Sequence, residues 1–492
     1  MKQFIRLMCV SILVLCLSIT SIQAVQAIPE TGWQTGIKLQ NLGSIDGKTL
    51  SLTLYPSIGG APVQVASNLA ISANGSLELF LPSYTNVPGG KYAAVVSSDV
   101  PLASVATLTN YENGMADSYT SMQPASTIYI PSVYHNHNNW STDIFIQNTT
   151  GSPVNASVKV EEPATSVSTS DGLFTQEYPI VVPANSSYQF DTNAHPEMNW
   201  FIGAATVKST GGELLAVNIS QTRLLGAGDV PGNALIMSRG LSGQDISARI
   251  LLPSLYKNFS GASGTWQSGI KLQNPGTAAV NATVTFTGDG SSTTYVKSVN
   301  VPASGSTELY LPNTLMDNSS PLPDMFIGSA VVEAVGGTII ASVQHTNYSA
   351  ASGYGVAIGY PGLAVGSSKI SLPSLYRWPS GAGVWISGIK VQNLGTTEIS
   401  VNIVLASDPD VAAFSGSKSN VIIAPGKAFE LYLGADGNLD GGLSVPQPWK
   451  GGAIVTAVTT SGTGTASIGA TVIHTNYGRH VSTMYTGMPI NK

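Results

Sequence analysis

The stretch DGNLDGG at 436–442 is the part of this sequence whose residue types and spacing best suit a chemical function. Asp436, Asn438 and Asp440 alternate ahead of a glycine, as in the first half of a calcium-binding loop, where oxygen ligands converge on the ion. The twelfth position of such a loop is Gln447, where a bidentate glutamate is expected. Two interpretations follow: a calcium site that stiffens a loop, or a polar hairpin tip without an ion.

Four histidines are the other candidates for metal or acid–base chemistry. His135 and His137 have a metal-like spacing in YHNHNNW, but no third ligand is near in sequence, which favours a solvated loop. His345 and His474 recur in HTNY, whereas two other copies of this stretch carry Leu108 and Ser220 there. We therefore predict that His345 and His474 form hydrogen bonds within the fold.

The sequence offers no set of residues for catalysis. Nucleophile-elbow, HExxH and P-loop patterns do not occur, and Ser415 with Lys418 matches S-x-x-K without its partner motifs. Only 10% of the residues are charged and the basic ones are not clustered, which argues against nucleic acid as a partner. We predict a protein that is not an enzyme and has no cofactor, apart from the calcium alternative.

Residues 1–27 have the composition of a secretory signal. Lys2 and Arg6 precede an apolar core, and Val25-Gln26-Ala27 resembles a cleavage site. Cleavage would remove both cysteines, Cys9 and Cys16, and leave an exported chain without disulfides or a transmembrane anchor. In that setting Asn-x-Ser/Thr sequons become glycosylation candidates, and the second quarter of the chain is richest in them, at Asn139, Asn148, Asn155 and Asn185.

One hexamer shows how the chain is organised. GIKLQN stands at 36–41 and 269–274, GIKVQN at 388–393, and the related DIFIQN at 143–148, each shortly after a tryptophan. These tryptophans, 107 to 126 residues apart, are Trp33, Trp140, Trp266 and Trp385. Because this period is far longer than a propeller blade or solenoid repeat, each repeat should be a whole domain.

Within each repeat, turn signals separate short segments of alternating apolar residues. An N-x-G turn follows the hexamer, then an alternating strand, then a V-P-A-x-G-S type turn and another strand, as in 301–312. This succession resembles bacterial Ig-like surface modules of the CARDB type, and the resemblance implies an Ig-like fold and an exported setting. We predict an all-β protein of four tandem antiparallel β-sandwiches, at 28–124, 125–245, 246–366 and 367–492.

The hexamer itself is predicted to be a core strand. Ile37 and Leu39 should face the core, Lys38 and Gln40 should face outward, and the tryptophan should cover the same core from the strand's start. A second repeated segment precedes it in three repeats: TIYIPSVY, RILLPSLY and KISLPSLY. Since the first repeat has no such segment, one terminal domain either exposes a sheet edge or does without the strand.

These features favour a secreted, cell-surface structural or adhesive protein. It would form a stalk or be a subunit of an extracellular filament, sheath or surface layer, held by self-association or by other surface proteins and glycans. The alternative is a secreted carbohydrate- or protein-binding protein that uses exposed aromatic residues. The repeated candidates for that role are Tyr111, Tyr348 and Tyr477.

Overall fold

A computed structural model describes residues 31–57, 61–162, 174–224, 233–261, 264–349, 354–380 and 383–490. The predicted signal segment lies outside these ranges. Across them the protein is all-β, with antiparallel sheets and no α-helix, so the predicted fold class is confirmed at that level. The same residues contain no helix of the length and apolarity that a membrane span requires.

The strands follow the sequence repeats, which we number 1 to 4. Repeat 1 contains β1 Gln34–Asn41, β2 Gly47–Pro56, β3 Val63–Ile71, β4 Ser76–Phe80, β5 Tyr92–Ser97, β6 Leu102–Asn110 and β7 Met115–Thr120. Repeat 2 contains β8 Thr127–His137, β9 Trp140–Asn148, β10 Val154–Glu161, β11 Thr175–Val182, β12 Ser186–Asp191, β13 Phe201–Ser209, β14 Ala216–Arg223 and β15 Ala234–Arg239.

Repeats 3 and 4 have the same order of strands. Repeat 3 contains β16 Arg249–Lys257, β17 Phe259–Gly261, β18 Gly264–Gln273, β19 Val280–Gly288, β20 Thr294–Val301, β21 Ser306–Tyr310, β22 Phe326–Val335, β23 Ile340–Ser349 and β24 Tyr354–Pro361. Repeat 4 contains β25 Lys369–Ser380, β26 Gly383–Asn393, β27 Ile399–Ser407, β28 Ser415–Ile423, β29 Ala428–Tyr432, β30 Trp449–Thr459, β31 Ile468–Asn476, β32 Val481–Thr486 and β33 Met488–Pro489. Short 3-10 turns connect some of them, at Leu81–Ser83, Tyr111–Asn113, Thr192–Ala194, Pro196–Met198, Gly243–Asp245, Leu311–Asn313 and Asp440–Gly442.

Each repeat folds as two antiparallel layers around a core. In repeat 3 one layer has the order β16-β22-β19-β20 and the other β17-β18-β23-β24, with β21 on the free edge of β18. In repeats 2 and 4 the hairpins β8-β9 and β25-β26 join the two layers into one sheet. The alternation of β19 shows how the sequence builds this core, because its inward residues Val280, Ala282, Val284 and Phe286 are all at most 3% exposed.

The asparagine that ends each hexamer has a structural role. The Asn274 side chain accepts a hydrogen bond from the Gly276 N–H at 2.8 Å and donates to Ala278 O at 2.7 Å and Val301 O at 3.2 Å. It therefore closes its own turn and fastens that turn to β20. Asn41 and Asn393 make the matching bonds in repeats 1 and 4.

The repeated hexamer is buried on both faces. Ile37 and Leu39 lie in the core of repeat 1, as predicted, but Lys38 and Gln40 are each only 1% exposed. Lys38 and Gln40 thus lie on the outer face of β1, as the alternation predicts, but another repeat and not water lies opposite them. Their side of β1 packs against repeat 4, where Ser371 Oγ donates a hydrogen bond to the Gln40 side chain.

The four repeats close into a ring, so they do not extend as a stalk. The Tyr134 hydroxyl of repeat 2 donates to Gln344 of repeat 3 at 2.7 Å, and Arg249 of repeat 3 donates to Leu394 O of repeat 4 at 2.5 Å. Repeat 4 in turn contacts repeat 1 through β25 and β1, and repeat 1 contacts repeat 2 through β7 and β15. The final strands β7, β15, β24 and β32 pack against one another in sequence around the centre.

Three of the four repeated tryptophans contact a neighbouring repeat. Trp33 packs with Leu235 and Met237 of repeat 2, and the Trp385 indole N–H donates to the Tyr111 hydroxyl of repeat 1 at 3.0 Å. Trp140 belongs to a cluster that includes Ala357 of repeat 3. Trp266 packs against the core of its own repeat, and Trp140 packs mainly with buried residues of its own repeat, so the predicted core-covering role is wrong for Trp33 and Trp385.

Candidate functional site

Buried ion pairs join the repeats. The Lys38 ammonium of repeat 1 pairs with the Asp408 carboxylate of repeat 4, and their side chains are 1% and 0% exposed. Ser76 Oγ donates a second hydrogen bond to Asp408 at 2.6 Å. Nearby, Lys450 of repeat 4 pairs with Glu78 of repeat 1 at 2.9 Å. A buried charge needs such partners, because removing it from water without them is costly.

The hexamer lysine also pairs with an aspartate at the joint between repeats 3 and 4. Lys390 of repeat 4 pairs with Asp289 of repeat 3 at 2.7 Å and donates to Gly328 O at 3.2 Å. In repeat 3, Lys271 pairs with Glu308 of its own repeat at 2.8 Å, and its ammonium lies 5.2 Å from the ring centre of Tyr134 in repeat 2. The hexamer lysine thus faces the preceding repeat in all three joints.

The fourth joint, between repeats 1 and 2, has neither the lysine nor the aspartate. A backbone hydrogen bond to the neighbouring strand identifies the position of the paired aspartate in each repeat. Asp289 N donates to Ile327 O in repeat 3, and Asp408 N donates to Lys450 O in repeat 4. In repeat 1 the same bond runs from Ser57 N to Lys91 O, so Ser57 stands where the other two repeats have aspartate. Across this joint the hexamer of repeat 2 has Phe145 in the place of lysine.

Asp117 lies where the final strands meet. It is fully buried, and its carboxylate accepts hydrogen bonds from the backbone N–H groups of Met237 in repeat 2 at 2.8 Å and Met484 in repeat 4 at 2.9 Å. The matching positions of the other final strands, by strand pairing, are Met237, Ile358 and Thr483. Burial raises the pKa of Asp117 well above its usual range, while the backbone donors oppose that shift. One carboxyl group therefore connects three repeats.

Two buried serine–histidine pairs lie in repeats 3 and 4. Ser268 Oγ is 2.8 Å from His345 Nδ1 and accepts a hydrogen bond from the Tyr256 backbone N–H at 2.7 Å. Ser387 and His474 repeat this arrangement at the same distance. Burial lowers the pKa of both histidines to about 3. The predicted hydrogen-bonding role is confirmed, and both pairs are buried.

The three residues predicted to bind calcium have different hydrogen-bond partners. The Asp436 side chain is 82% exposed and pairs with Arg377 at 3.3 Å, whereas the Asn438 amide donates to Tyr432 O at 2.6 Å. Asp440 accepts hydrogen bonds from Ser417 Oγ at 2.8 Å and from the Ser419 N–H at 3.2 Å, which lowers its pKa. Each side chain is thus engaged with a different part of repeat 4, and calcium binding stays a prediction.

His135 and His137 lie at the tip of the β8–β9 hairpin. His135 is buried, and burial lowers the pKa of both. The His137 ring contacts Trp200 edge-on with centroids 6.4 Å apart. Within the described ranges no three His, Cys, Asp or Glu side chains come together to hold a metal ion.

The glycosylation candidates differ in access. Asn155 and Asn185 are exposed and Asn139 is half-buried. Asn148 is 1% exposed because it is the turn-closing asparagine of repeat 2, so the fold hides this sequon. Of the repeated tyrosines, Tyr477 is 47% exposed, Tyr111 packs under Arg479 at 4.7 Å, and the side chain of Tyr348 lies outside the described set.

No known protein family and no curated protein matches this chain. The buried polar joints are what sequence reasoning missed. A signal for them was available, because the hexamer lysines of repeats 1 and 4 accompany Asp408 and Asp289, whereas Phe145 accompanies Ser57. Chemically, these groups can hold four repeats in a fixed arrangement.

Proposed function

We propose that the protein is a secreted structural or adhesive protein of the cell surface, built from four tandem Ig-like sandwiches of CARDB-like type. It acts as a compact subunit of an extracellular filament, sheath or surface layer. Self-association, or binding to other surface proteins and glycans, holds it in place. It has no catalytic role in this proposal.

The buried Lys38–Asp408 pair between the first and last repeats supports this proposal best. It closes the chain on itself, and a closed ring resists relative motion of the repeats better than a linear string. The charged groups of the joints serve this packing, as the Lys450–Glu78 and Lys390–Asp289 pairs illustrate. Such a rigid unit suits a load-bearing or lattice-forming role.

Negative-stain electron microscopy of the purified exported protein, with and without calcium, tests the proposal. We expect filaments or sheets built from compact particles. Filaments that form only with calcium would implicate Asp436, Asn438 and Asp440 in assembly. Isolated compact particles at all concentrations, on cells as well as in solution, would contradict the structural role. That result would favour the alternative function, binding of a carbohydrate or protein ligand.

Trp200 supports the second candidate function, binding of a carbohydrate or protein ligand. It is 45% exposed, and its backbone has a φ of 62°, a strained value for a bulky residue. It stands against the His137 ring, beside a hydrogen bond between Asn136 and Asn199 at 2.9 Å. An exposed ring amid amides and an imidazole is suited to stacking on a sugar.

A glycan array tests this second candidate. We expect binding that Trp200→Ala abolishes and that Phe80→Ala, a change of another exposed aromatic residue in repeat 1, leaves intact. Equal binding by both variants would exclude Trp200 as the ligand-binding residue. Absence of binding by the unaltered protein would favour the structural role.

A further inference from the structure

The described residues of repeat 1 include no counterpart of a strand that the other repeats share. In repeats 2, 3 and 4 the segments β8, β16 and β25 lie antiparallel along the edges of β13, β22 and β30. Strand pairing identifies the corresponding strand of repeat 1 as β5, because Leu54 pairs with Ala94 as Phe286 pairs with Ala330. Among the described residues, β5 pairs with β2 alone.

The missing strand leaves apolar core positions uncovered. Ala94 is exposed, while the corresponding Ala330 and Ala453 are each 1% exposed. Val96 is half-buried, while the corresponding Val332 and Val455 are completely buried. In the other repeats, aliphatic side chains of the added strand cover this region and are at most 2% exposed: Ile128, Ile130 and Val133, then Ile250, Leu252 and Leu255, then Ile370, Leu372 and Leu375.

We propose that the free edge of β5 is an acceptor site for an extended peptide segment from a different protein chain. The segment adds antiparallel to β5 and inserts large aliphatic residues at the positions that Ile250, Leu252 and Leu255 occupy in repeat 3. Main-chain hydrogen bonds to the unpaired edge supply affinity, and the apolar slot above Ala94 and Val96 selects the side chains.

The protein itself shows what the occupant must look like. Three copies of the pattern, 127–134, 249–256 and 369–376, each cover the matching edge of their own repeat. Because these copies are already engaged in their own folds, a second molecule of this protein has none of them to donate. Since all three copies in the described part of the chain are engaged in this way, we assign the site to another protein that carries an aliphatic segment of the I-x-L-P-x-L type.

Neighbouring contacts add an aromatic position to this segment. The tyrosine that follows the pattern reaches the next repeat, as the Tyr134 hydroxyl does to Gln344 at 2.7 Å and the Tyr376 hydroxyl to Glu78 at 3.2 Å. In the slot of repeat 1 the same position would face repeat 2, whose hexamer carries Phe145 in place of lysine. An aromatic residue of the occupant would thus meet an aromatic residue of repeat 2.

The test uses a labelled peptide with the sequence of residues 247–258, SARILLPSLYKN, added to the exported protein as isolated. Binding is measured by fluorescence anisotropy, and amide hydrogen exchange locates the contact. The control peptide has aspartate at the three aliphatic positions. We expect saturable binding that protects the amides of 92–97, and at least about tenfold weaker binding of the control, because a carboxylate is disfavoured in an apolar slot.

Two variants of the protein complete the design. Ala94→Asp places a charge in the slot at an exposed position, so folding is retained, and we expect binding to weaken about tenfold. Val335→Asp makes a similar change at a residue of repeat 3 that is 74% exposed, and we expect no effect on binding. Circular dichroism and thermal melting establish that both variants are folded.

Three results would overturn the proposal. One is absence of saturable binding to the folded protein, and another is equal binding of the control peptide or of the Ala94→Asp variant. The third is strong protection of the 92–97 amides before any peptide is added, comparable with 326–333 in repeat 3. That result would mean that a segment of the chain itself already covers the edge.

Discussion

Repeat 1 meets its two neighbours through different chemistry. Towards repeat 4 it presents Lys38, Gln40 and Glu78, which are matched by charged or polar groups. Towards repeat 2 it contributes an apolar cluster around Met115 and Trp33, and Ser57 and Phe145 occupy the positions of the ion pair.

This contrast shows that a repeated strand does not impose one kind of interface. The inward residues of the hexamer are aliphatic in all four repeats because each packs into a similar core. The outward residues depend on the preceding repeat, so a change on one side of a joint accompanies a change on the other. The joint between repeats 4 and 1 contains two fully buried charges that pair with each other. The stability of the protein should therefore be most sensitive to mutation at this joint.

Asp408→Ala is expected to have the largest effect. It leaves the Lys38 ammonium buried without its partner, which should lower the free energy of unfolding by about 3–5 kcal/mol in a urea titration. Asp410→Ala is the matched control, because Asp410 pairs with Lys450 through a side chain that is 62% exposed and should cost less than about 1 kcal/mol. The double variant Lys38→Met with Asp408→Leu should recover most of the loss, and failure to recover would contradict the ion-pair explanation.

Introducing a lysine–aspartate pair at the joint between repeats 1 and 2 tests whether these two positions face each other. Phe145→Lys alone should destabilise the protein by about 1–3 kcal/mol, because repeat 1 offers Ser57 in place of a carboxylate. Adding Ser57→Asp should restore a substantial part, which a double-mutant cycle of unfolding free energies measures. Strictly additive effects would show that the two positions do not face each other across the joint.

The buried histidines should make repeats 3 and 4 sensitive to acid. Their folded-state pKa of about 3 lies below the unfolded value of about 6.5, so the unfolded chain binds more protons between these pH values. Stability should therefore fall as the pH falls from about 6.5 towards 3, by about 1.4 kcal/mol per pH unit for each histidine.

The double variant His345→Gln, His474→Gln provides the comparison. Its unfolding free energy, measured at several pH values, should show a slope that is smaller by about 2.7 kcal/mol per pH unit. Asp143, whose pKa burial raises to about 6, acts in the opposite direction but is present in both proteins, so its contribution cancels. Parallel pH profiles of the two proteins would contradict the assignment.

The smallest effects are expected at the acidic loop of repeat 4, where the Asp436 side chain is 82% exposed. Asp440→Ala should lower the melting temperature slightly through the lost hydrogen bonds to Ser417 and Ser419, and Asp436→Ala should have close to no effect because the Asp436 side chain is itself largely exposed. Millimolar calcium should leave the melting temperature unchanged. A rise with calcium that disappears in Asp440→Ala would instead establish the predicted calcium site.

Local patterns carried much of the fold. Alternating apolar residues predicted strands with one face in a core, as β19 has, and the N-x-G signal after the hexamer predicted a turn, which Asn274 closes. Both features depend on neighbours a few residues apart along one strand. The contacts of the candidate loop at 436–442 were less predictable, because Arg377 and Ser417, the partners of Asp436 and Asp440, lie elsewhere in the repeat.

By itself, the sequence determined four copies of one antiparallel unit, since side-chain alternation and turn chemistry act over short distances. It could not show that Lys38 and Gln40 are buried, because a polar residue on the outer face of a strand has the same pattern whether water or another repeat lies opposite. Only the tertiary structure decided that question. It placed Asp408 against Lys38 across 370 residues of sequence and closed the ring, at the position where desolvated charges require a partner.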